Sequence, residues 1–182
     1  MKRKIFTLLL ATAAIVSCSK SDEPVTGGES STKVTIDPMI QTRATELSFE
    51  ENDEIGVSIV MSDDNSVYAD NALLTYTDGS FSGNLTWYDN VLETSTVYAY
   101  YPYVIGESVP TTFTVQADQS TATGYTKSDL MIASKSDVTP TVAGTTMTFS
   151  HSLSRIVVTL DNQSGQGISA VEIGGTYPTA TI

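Results

Sequence analysis

Apolar and polar residues alternate along most of the chain from about residue 33 onward. The clearest example is the segment EIGVSIVM, in which Ile55, Val57, Ile59 and Met61 are separated by two positions each. Residues two apart lie on the same side of an extended strand, whereas a helix would bring together residues three and four apart. The pattern therefore predicts a strand whose apolar side faces a core.

Further short segments of this kind follow one another, each bounded by Gly, Pro, Ser or Asp. They are KVTI, NALLTYTDGSFSGNLTWYD (two strands around the turn DGS), VYAYYPYV, TTFTV, DLMIA, TTMTFSH, LSRIVVTL and AVEI. KVTI is predicted to be a short or edge strand, because Pro38 follows it and cannot donate to a strand ladder. Abundant β-branched and aromatic residues favour pleated sheets. We predict an all-β protein, an antiparallel β-sandwich.

Residues 1–17 have the layout of a secretory signal. Lys2, Arg3 and Lys4 precede the apolar run IFTLLLATAAIV, which is too short to span a bilayer. The sequence IVSC resembles the bacterial lipobox, in which cysteine becomes the first residue of the mature chain and is acylated. Cys18 is therefore the predicted lipid anchor. The alternative is a small buried residue, since cysteine is often found in cores.

Residues 18–32 contain Ser, Gly, Pro and acidic residues with little apolar content, which predicts a flexible tether. The stretch SKSDEP resembles the acidic signals that direct lipoproteins of the Bacteroidales to the outer face of the outer membrane. Residues 33–182 form the predicted sandwich domain. AVEIGGTYPTATI follows a strand and a fresh turn without a closing segment, so we expect the reading frame to continue into a second domain.

Charge and cysteine content narrow the possible functions. The chain has 9 basic and 21 acidic residues, with a formal net charge of -12. A nucleic-acid partner is excluded on this basis, because phosphate binding requires a basic surface. With a single cysteine the domain has no internal disulfide, so hydrophobic burial must stabilise it.

The sequence offers little catalytic chemistry, and we expect neither an enzyme nor a bound cofactor. Its one histidine, His151, excludes a metal site built from several imidazoles. Neighbouring residues in a strand point to opposite faces, so Ser150 and Ser152 are not presented to the imidazole ring by local geometry. The residues Asp63, Asp64, Asn65, Asp70 and Asn71 suggest calcium but lack the pattern of the known calcium-binding loop.

Aromatic residues provide one candidate binding surface. Trp87 and Tyr88, together with the segment YAYYPY, could form a platform on which a carbohydrate stacks. The simpler interpretation is that alternation along the strands places half of these rings in the core. Since the sequence does not decide between these interpretations, glycan binding by a surface lipoprotein that forms no pili is kept as the alternative function.

Four segments in a fixed order carry a family resemblance: TRATELSFEENDEIGVSI, VYAYYPY, KSDLMIAS and MTFSHSLSRIVVTL. Together, behind a lipobox, they resemble the fimbrillin-like (Mfa-like) proteins of Bacteroidales, which build type V pili. The resemblance runs from about Thr42 to Leu160. It implies a two-domain subunit of transthyretin-like β-sandwiches, exported as a lipoprotein of the outer membrane surface and acting in pilus assembly and adhesion with other fimbrial subunits.

The resemblance also implies a processing step in the pilus-forming members. An arginine-specific protease would cut between Arg43 and Ala44, release the strand KVTI and open a groove for a neighbouring subunit's strand. The alternative is that Arg43 lies in a solvated turn, since anchor subunits keep their lipid and are not cut. Whether this chain is a stalk, anchor or tip subunit is left open by the sequence.

Overall fold

The computed structural model describes residues 32–41, 48–176 and 178–182. Strands dominate this part of the chain, and its one helix is a single short turn. No helix within these ranges is long and apolar enough to cross a bilayer. The elements are β1 Lys33–Gln41, β2 Glu54–Met61, β3 Val67–Thr77, β4 Ser80–Thr86, β5 Ser95–Tyr101, β6 Thr112–Thr114, α1 Ala122–Thr126, β7 Met131–Val138, β8 Thr145–His151 and β9 Thr179–Thr181.

Seven of the strands close into a barrel in the order β1-β4-β3-β2-β5-β7-β8, and β8 pairs with β1. The remaining strands, β6 and β9, form a small antiparallel sheet. The all-β prediction is confirmed. The antiparallel sandwich needs correction in two respects: the hydrogen bonds run around one closed sheet, and β1 and β8 are parallel. The cause is the position of β1, which joins two strands that would otherwise be sheet edges.

Strand β1 is longer and more central than its sequence predicts. It continues through Pro38 and pairs with β4 up to Ile36 and with β8 from Ile36 to Gln41. Val34 and Ile36 are completely buried. The prediction of a short or edge strand was wrong because β1 lies between two strands: β4 pairs with its first half and β8 with its second half, and the two ladders meet at Ile36. Beyond Ile36 it pairs with β8 alone, and a missing N–H at Pro38 is tolerated there.

The barrel core contains the predicted face of β2, since Ile55, Val57 and Ile59 are all fully buried. Beside it lies a cluster of aromatic rings in which Phe49 is central. The ring of Phe49 meets those of Phe81 and Phe149 edge-on, with centroids 4.8 and 5.2 Å apart. Such arrangements add about 0.5–1.5 kcal/mol per pair beyond the buried area. This cluster links β4 and β8 to the segment that precedes β2.

Two predicted strands, LSRIVVTL and AVEI, do not form. Residues 152–176 contain no strand, and most of their larger apolar side chains are exposed. A strand needs a neighbour to satisfy its backbone groups. Strand β1 already occupies the outer side of β8, so the closed barrel offers the following segment no pairing position. The exposed residues are Ile156, Val157, Val158, Leu160, Ile168, Val171 and Ile173.

Candidate functional site

The residues predicted for lipidation and processing, Cys18, Arg43 and Ala44, lie outside the described residues. In the sequence, Arg43 follows the last residue of β1, Gln41, by two positions. The strand that a cut at this position would separate is therefore the whole of β1. The contacts that β1 makes within the barrel determine which groups would lose their partners if β1 were removed.

Strand β1 makes three kinds of contact with the barrel. Its backbone pairs with β4 and with β8, and the side chains of Val34 and Ile36 are buried in the core. The hydroxyl of Ser150, on β8, also donates to Oε1 of Gln41 (3.0 Å). Without β1 the barrel would have two unpaired strand edges flanking an apolar slot. Such a groove matches a strand that runs parallel to β8 and antiparallel to β4.

The two aromatic residues predicted to bind glycans are not at the surface. Trp87 is completely buried and Tyr88 is 8% exposed, with their rings packed edge-on at 6.1 Å. The hydroxyl of Tyr88 contacts the carbonyl oxygens of Glu93 (3.0 Å) and Val138 (3.3 Å), and burial raises its pKa. The predicted carbohydrate platform at Trp87 and Tyr88 is thus corrected, because these rings connect the end of β4 to β7.

A cavity of about 610 Å³ lies at the end of the barrel where β2 begins and β5 ends. Strand β6 contributes to its lining from outside the barrel. The lining combines aromatic rings with charged side chains and includes Asp53, Glu54, Tyr103, Phe113 and Lys127. Sequence patterns did not indicate this cavity, because its residues come from four separated segments of the chain.

Tyr101 forms the barrel side of the cavity. Its hydroxyl donates to Oδ1 of Asp53 (3.1 Å), while Oδ2 of Asp53 accepts from the backbone N–H of Glu50 (2.8 Å). Burial raises the pKa of Tyr101 strongly, and the negative charge of Asp53 raises it further. Tyr101 therefore stays protonated as a donor to Asp53, and both groups are engaged in holding β5 against the start of β2.

This raised pKa predicts a loss of stability in alkali. An unfolded tyrosine loses its proton near pH 10, whereas folded Tyr101 retains it, so the folded state binds more protons above that pH. Stability from this group is complete below about pH 10 and falls as the pH rises further. We expect the free energy of unfolding of Tyr101→Phe, measured with urea, to fall less steeply between about pH 8 and about pH 11.5 than that of the unsubstituted protein.

The control for this measurement is Tyr98→Phe, which changes an exposed tyrosine on the same strand. This variant should lose stability with pH as steeply as the unsubstituted protein. Equal slopes for Tyr101→Phe and the unsubstituted protein would contradict the role of Tyr101. Tyr101→Phe should still lose some stability as the pH rises, because burial also raises the pKa values of Tyr88 and Tyr100.

Asn71 anchors the loop that forms another wall of the cavity. Its buried amide accepts from the hydroxyl of Tyr100 (2.7 Å) and donates to the carbonyls of Val104 (3.1 Å) and Gly106 (3.0 Å). The backbone of Asn71 is left-handed, with φ of 51°, and its N–H donates to Oγ of Ser58 (3.0 Å). Asparagine tolerates this conformation better than most residues. The sequence suggested calcium here, but Asn71 instead joins β3 to the loop after β5.

His151 ends β8, and its Nδ1 lies 2.8 Å from Oδ1 of Asp129 in the segment before β7. The hydroxyl of the neighbouring Ser150 donates to Gln41 rather than to the imidazole. This geometry agrees with a structural histidine at a strand end. No group of acidic, histidine or cysteine side chains in the described ranges is arranged to hold a metal ion.

Comparison with known proteins identifies the family. The profile of the fimbrillin-like family matches residues 42–182, most of the chain. The chain therefore belongs to the fimbrillin-like family. No curated protein matches it significantly.

Two solved structures from Bacteroides ovatus are similar to this chain. One is a proposed cell adhesion protein with 22% identity and a TM-score of 0.49, covering 65% of this chain and 52% of its own. The other is a fimbrial protein with 23% identity and a TM-score of 0.40, covering 68% of this chain and 27% of its own. The chain thus spans about half the length of the first and about a quarter of the second.

Proposed function

We propose that this protein is a lipid-anchored, non-enzymatic subunit or accessory protein of a fimbrial system at the cell surface. It assembles with other fimbrial subunits by β-strand exchange and acts in adhesion. The observation that carries this proposal is the position of β1, which lies between β4 and β8 and is followed in the chain by Arg43. Membership of the fimbrillin-like family supports it independently.

The energetics of losing β1 support strand exchange. Its two fully buried side chains, Val34 and Ile36, each contribute roughly 1.5–3 kcal/mol through burial. Its removal would also leave backbone donors and acceptors of β4 and β8 without partners. An incoming strand with two apolar residues at alternate positions would restore both the buried apolar surface and the backbone hydrogen bonds. An opened barrel would therefore capture such a strand from a neighbouring subunit.

The lipid anchor in this proposal is Cys18, exposed by removal of residues 1–17. Several acyl chains on one residue hold a protein stably at a membrane, whereas a single chain is marginal. The tether of residues 18–32 would behave as a flexible coil with an average span of about 20 Å. That distance separates the domain from the lipid surface and would place the domain outside the outer membrane.

Residues 33–182 would form the first domain of a longer subunit. Apolar side chains between Ile156 and Ile173 are exposed, although their sequence pattern predicts buried strands. A segment so rich in exposed large apolar side chains is suited to contact with another domain or protein. In this proposal a second sandwich domain covers these residues.

The test is carried out in the native host with the complete reading frame, and uses two arginine variants. We expect mass spectrometry of sheared, high-mass appendages to find a mature N-terminus at Ala44. Arg43→Ala should abolish both this terminus and incorporation into appendages. Arg155→Ala is the matched control, because Arg155 is the other arginine downstream of Cys18 and lies after the barrel.

Two results would contradict strand exchange. The first is an acylated Cys18 in the membrane fraction with no form cut after Arg43, which would identify a permanent anchor. The second is unchanged assembly of Arg43→Ala, which would mean that the cut is not needed. In either case the family assignment stands, because it rests on the sequence profile.

A further inference from the structure

We propose that the cavity between the end of the barrel and β6 binds an uncharged sugar unit of an oligosaccharide. This site shares no residue with β1 and goes beyond the role in assembly proposed above. It includes the end of the segment YAYYPY, residues 101–103, from the carbohydrate platform predicted from the sequence, but neither Trp87 nor Tyr88 lines it.

The cavity has the size and the fixed walls that a small ligand needs. Its volume of about 610 Å³ lies within the roughly 300–1,000 Å³ range of small-molecule sites. The backbone N–H of Tyr103 donates to the carbonyl of Glu54 (2.9 Å), which joins the two barrel strands at the cavity. The carbonyl of Val104 accepts from Asn71 (3.1 Å). Because these bonds join protein groups to one another, the protein itself holds the walls in place and binding requires little ordering.

The apolar part of the lining suits the carbon-bound hydrogens of a sugar ring. Tyr103 is half-buried, Phe113 is buried, and Ile105 is 89% exposed although it lies beside the cavity. An aromatic face carries partial negative charge and attracts the weakly positive C–H groups of a sugar. A ligand seated in the cavity would also cover Ile105, a large apolar side chain that the rest of the described chain leaves in water.

The polar part of the lining contains side chains that are not already used. Glu54, Gln116 and Lys127 line the cavity, and none of their side chains hydrogen-bonds to another described residue. A carboxylate accepts, an ammonium donates and an amide does both, which matches hydroxyl groups that donate and accept in turn. Asp53 differs from these three, because Tyr101 and the backbone of Glu50 already occupy its carboxylate.

The charges favour a neutral ligand. Asp53 and Glu54 carry two negative charges against the single positive charge of Lys127, and the whole chain has a net charge of -12. An anion would be repelled by this surface. A cation would have to lose its hydration shell beside Lys127. A sugar without charge avoids both costs, and its hydroxyl groups can still bond to Glu54, Gln116 and Lys127.

Saturation-transfer NMR tests the proposal with the purified chain. The probes are the methyl glycosides of glucose, galactose, mannose and N-acetylglucosamine. We expect saturation transfer to at least one glycoside, and an affinity reduced about tenfold or more by Tyr103→Ala. Tyr98→Ala is the matched control, since Tyr98 is an exposed tyrosine of β5 outside the cavity, and it should leave the affinity unchanged.

A second variant separates binding from folding. Glu54→Gln alters an exposed side chain, so it should keep the thermal unfolding midpoint and weaken binding through the loss of a charged acceptor. The proposal is overturned if no glycoside receives saturation, or if Tyr103→Ala and Glu54→Gln both bind as tightly as Tyr98→Ala. Neither result affects strand exchange, which the arginine variants test separately.

Discussion

Phe149→Ala is expected to lower the free energy of unfolding by about 3–5 kcal/mol. Phe149 is fully buried on β8 and meets the ring of Phe49 edge-on at 5.2 Å. It also lies opposite Ile40 in the parallel pairing with β1. Truncation would remove the apolar surface and leave a cavity at the junction of β1 and β8. Urea unfolding at neutral pH measures the loss, which is a large part of the roughly 5–15 kcal/mol typical of a domain.

The matched control is Phe113→Ala. Phe113 is also buried, but it lies in the small sheet and is not part of the main core cluster. We expect a clearly smaller loss for this variant. If both substitutions lowered the unfolding free energy equally, the barrel core and the small sheet would form one cooperative unit, contrary to the packing described above.

Gly56→Ala is the second substitution with a large expected effect, about 1–3 kcal/mol of lost stability. Gly56 lies on β2 directly opposite Tyr100 of β5. A methyl group at this position would overlap the ring of Tyr100 and lie 2.6 Å from Oδ1 of Asn71. The ring is buried and hydrogen-bonded, so it cannot turn aside without breaking the bond to Asn71. Thermal unfolding and urea unfolding both measure the loss.

Gly106→Ala serves as the control within the same hydrogen-bond network. Its carbonyl accepts from Asn71, but an added methyl group would have its nearest neighbour 3.5 Å away, at the carbonyl oxygen of Ser108. We expect a change within about 0.5 kcal/mol, as for most surface substitutions. If Gly56→Ala were equally mild, the ring of Tyr100 would have room to move and the network would not be tightly packed.

Much of the local structure could be predicted from alternation alone. The pattern in EIGVSIVM correctly placed Ile55, Val57 and Ile59 in the core. In β5, Val97 and Ala99 are two positions apart and both are buried, as alternation requires. Alternation works here because the side chains of a strand point to opposite faces in turn, whatever the strand pairs with.

Alternation failed where one side chain found a specific partner. Tyr98 and Tyr100 share the outer face of β5 by sequence, yet Tyr98 is 48% exposed and Tyr100 is 3% exposed. The difference comes from Asn71 and from the space above Gly56, both supplied by other strands. For the cavity near Tyr103 the sequence indicated only the aromatic segment YAYYPY, because the rest of the lining is assembled from distant segments.

The sequence by itself determined the strand-rich class, the acidic charge, the family and the candidate residues Cys18 and Arg43, because each depends on composition or on neighbouring residues. Only the tertiary structure decided that β1 passes through Pro38 and closes the barrel parallel to β8, and that residues 152–176 find no partner strand. Strand pairing depends on hydrogen bonds between segments far apart in the chain. Both β1 and the segment LSRIVVTL could have paired with the free side of β8, and β1 takes that position when the barrel closes.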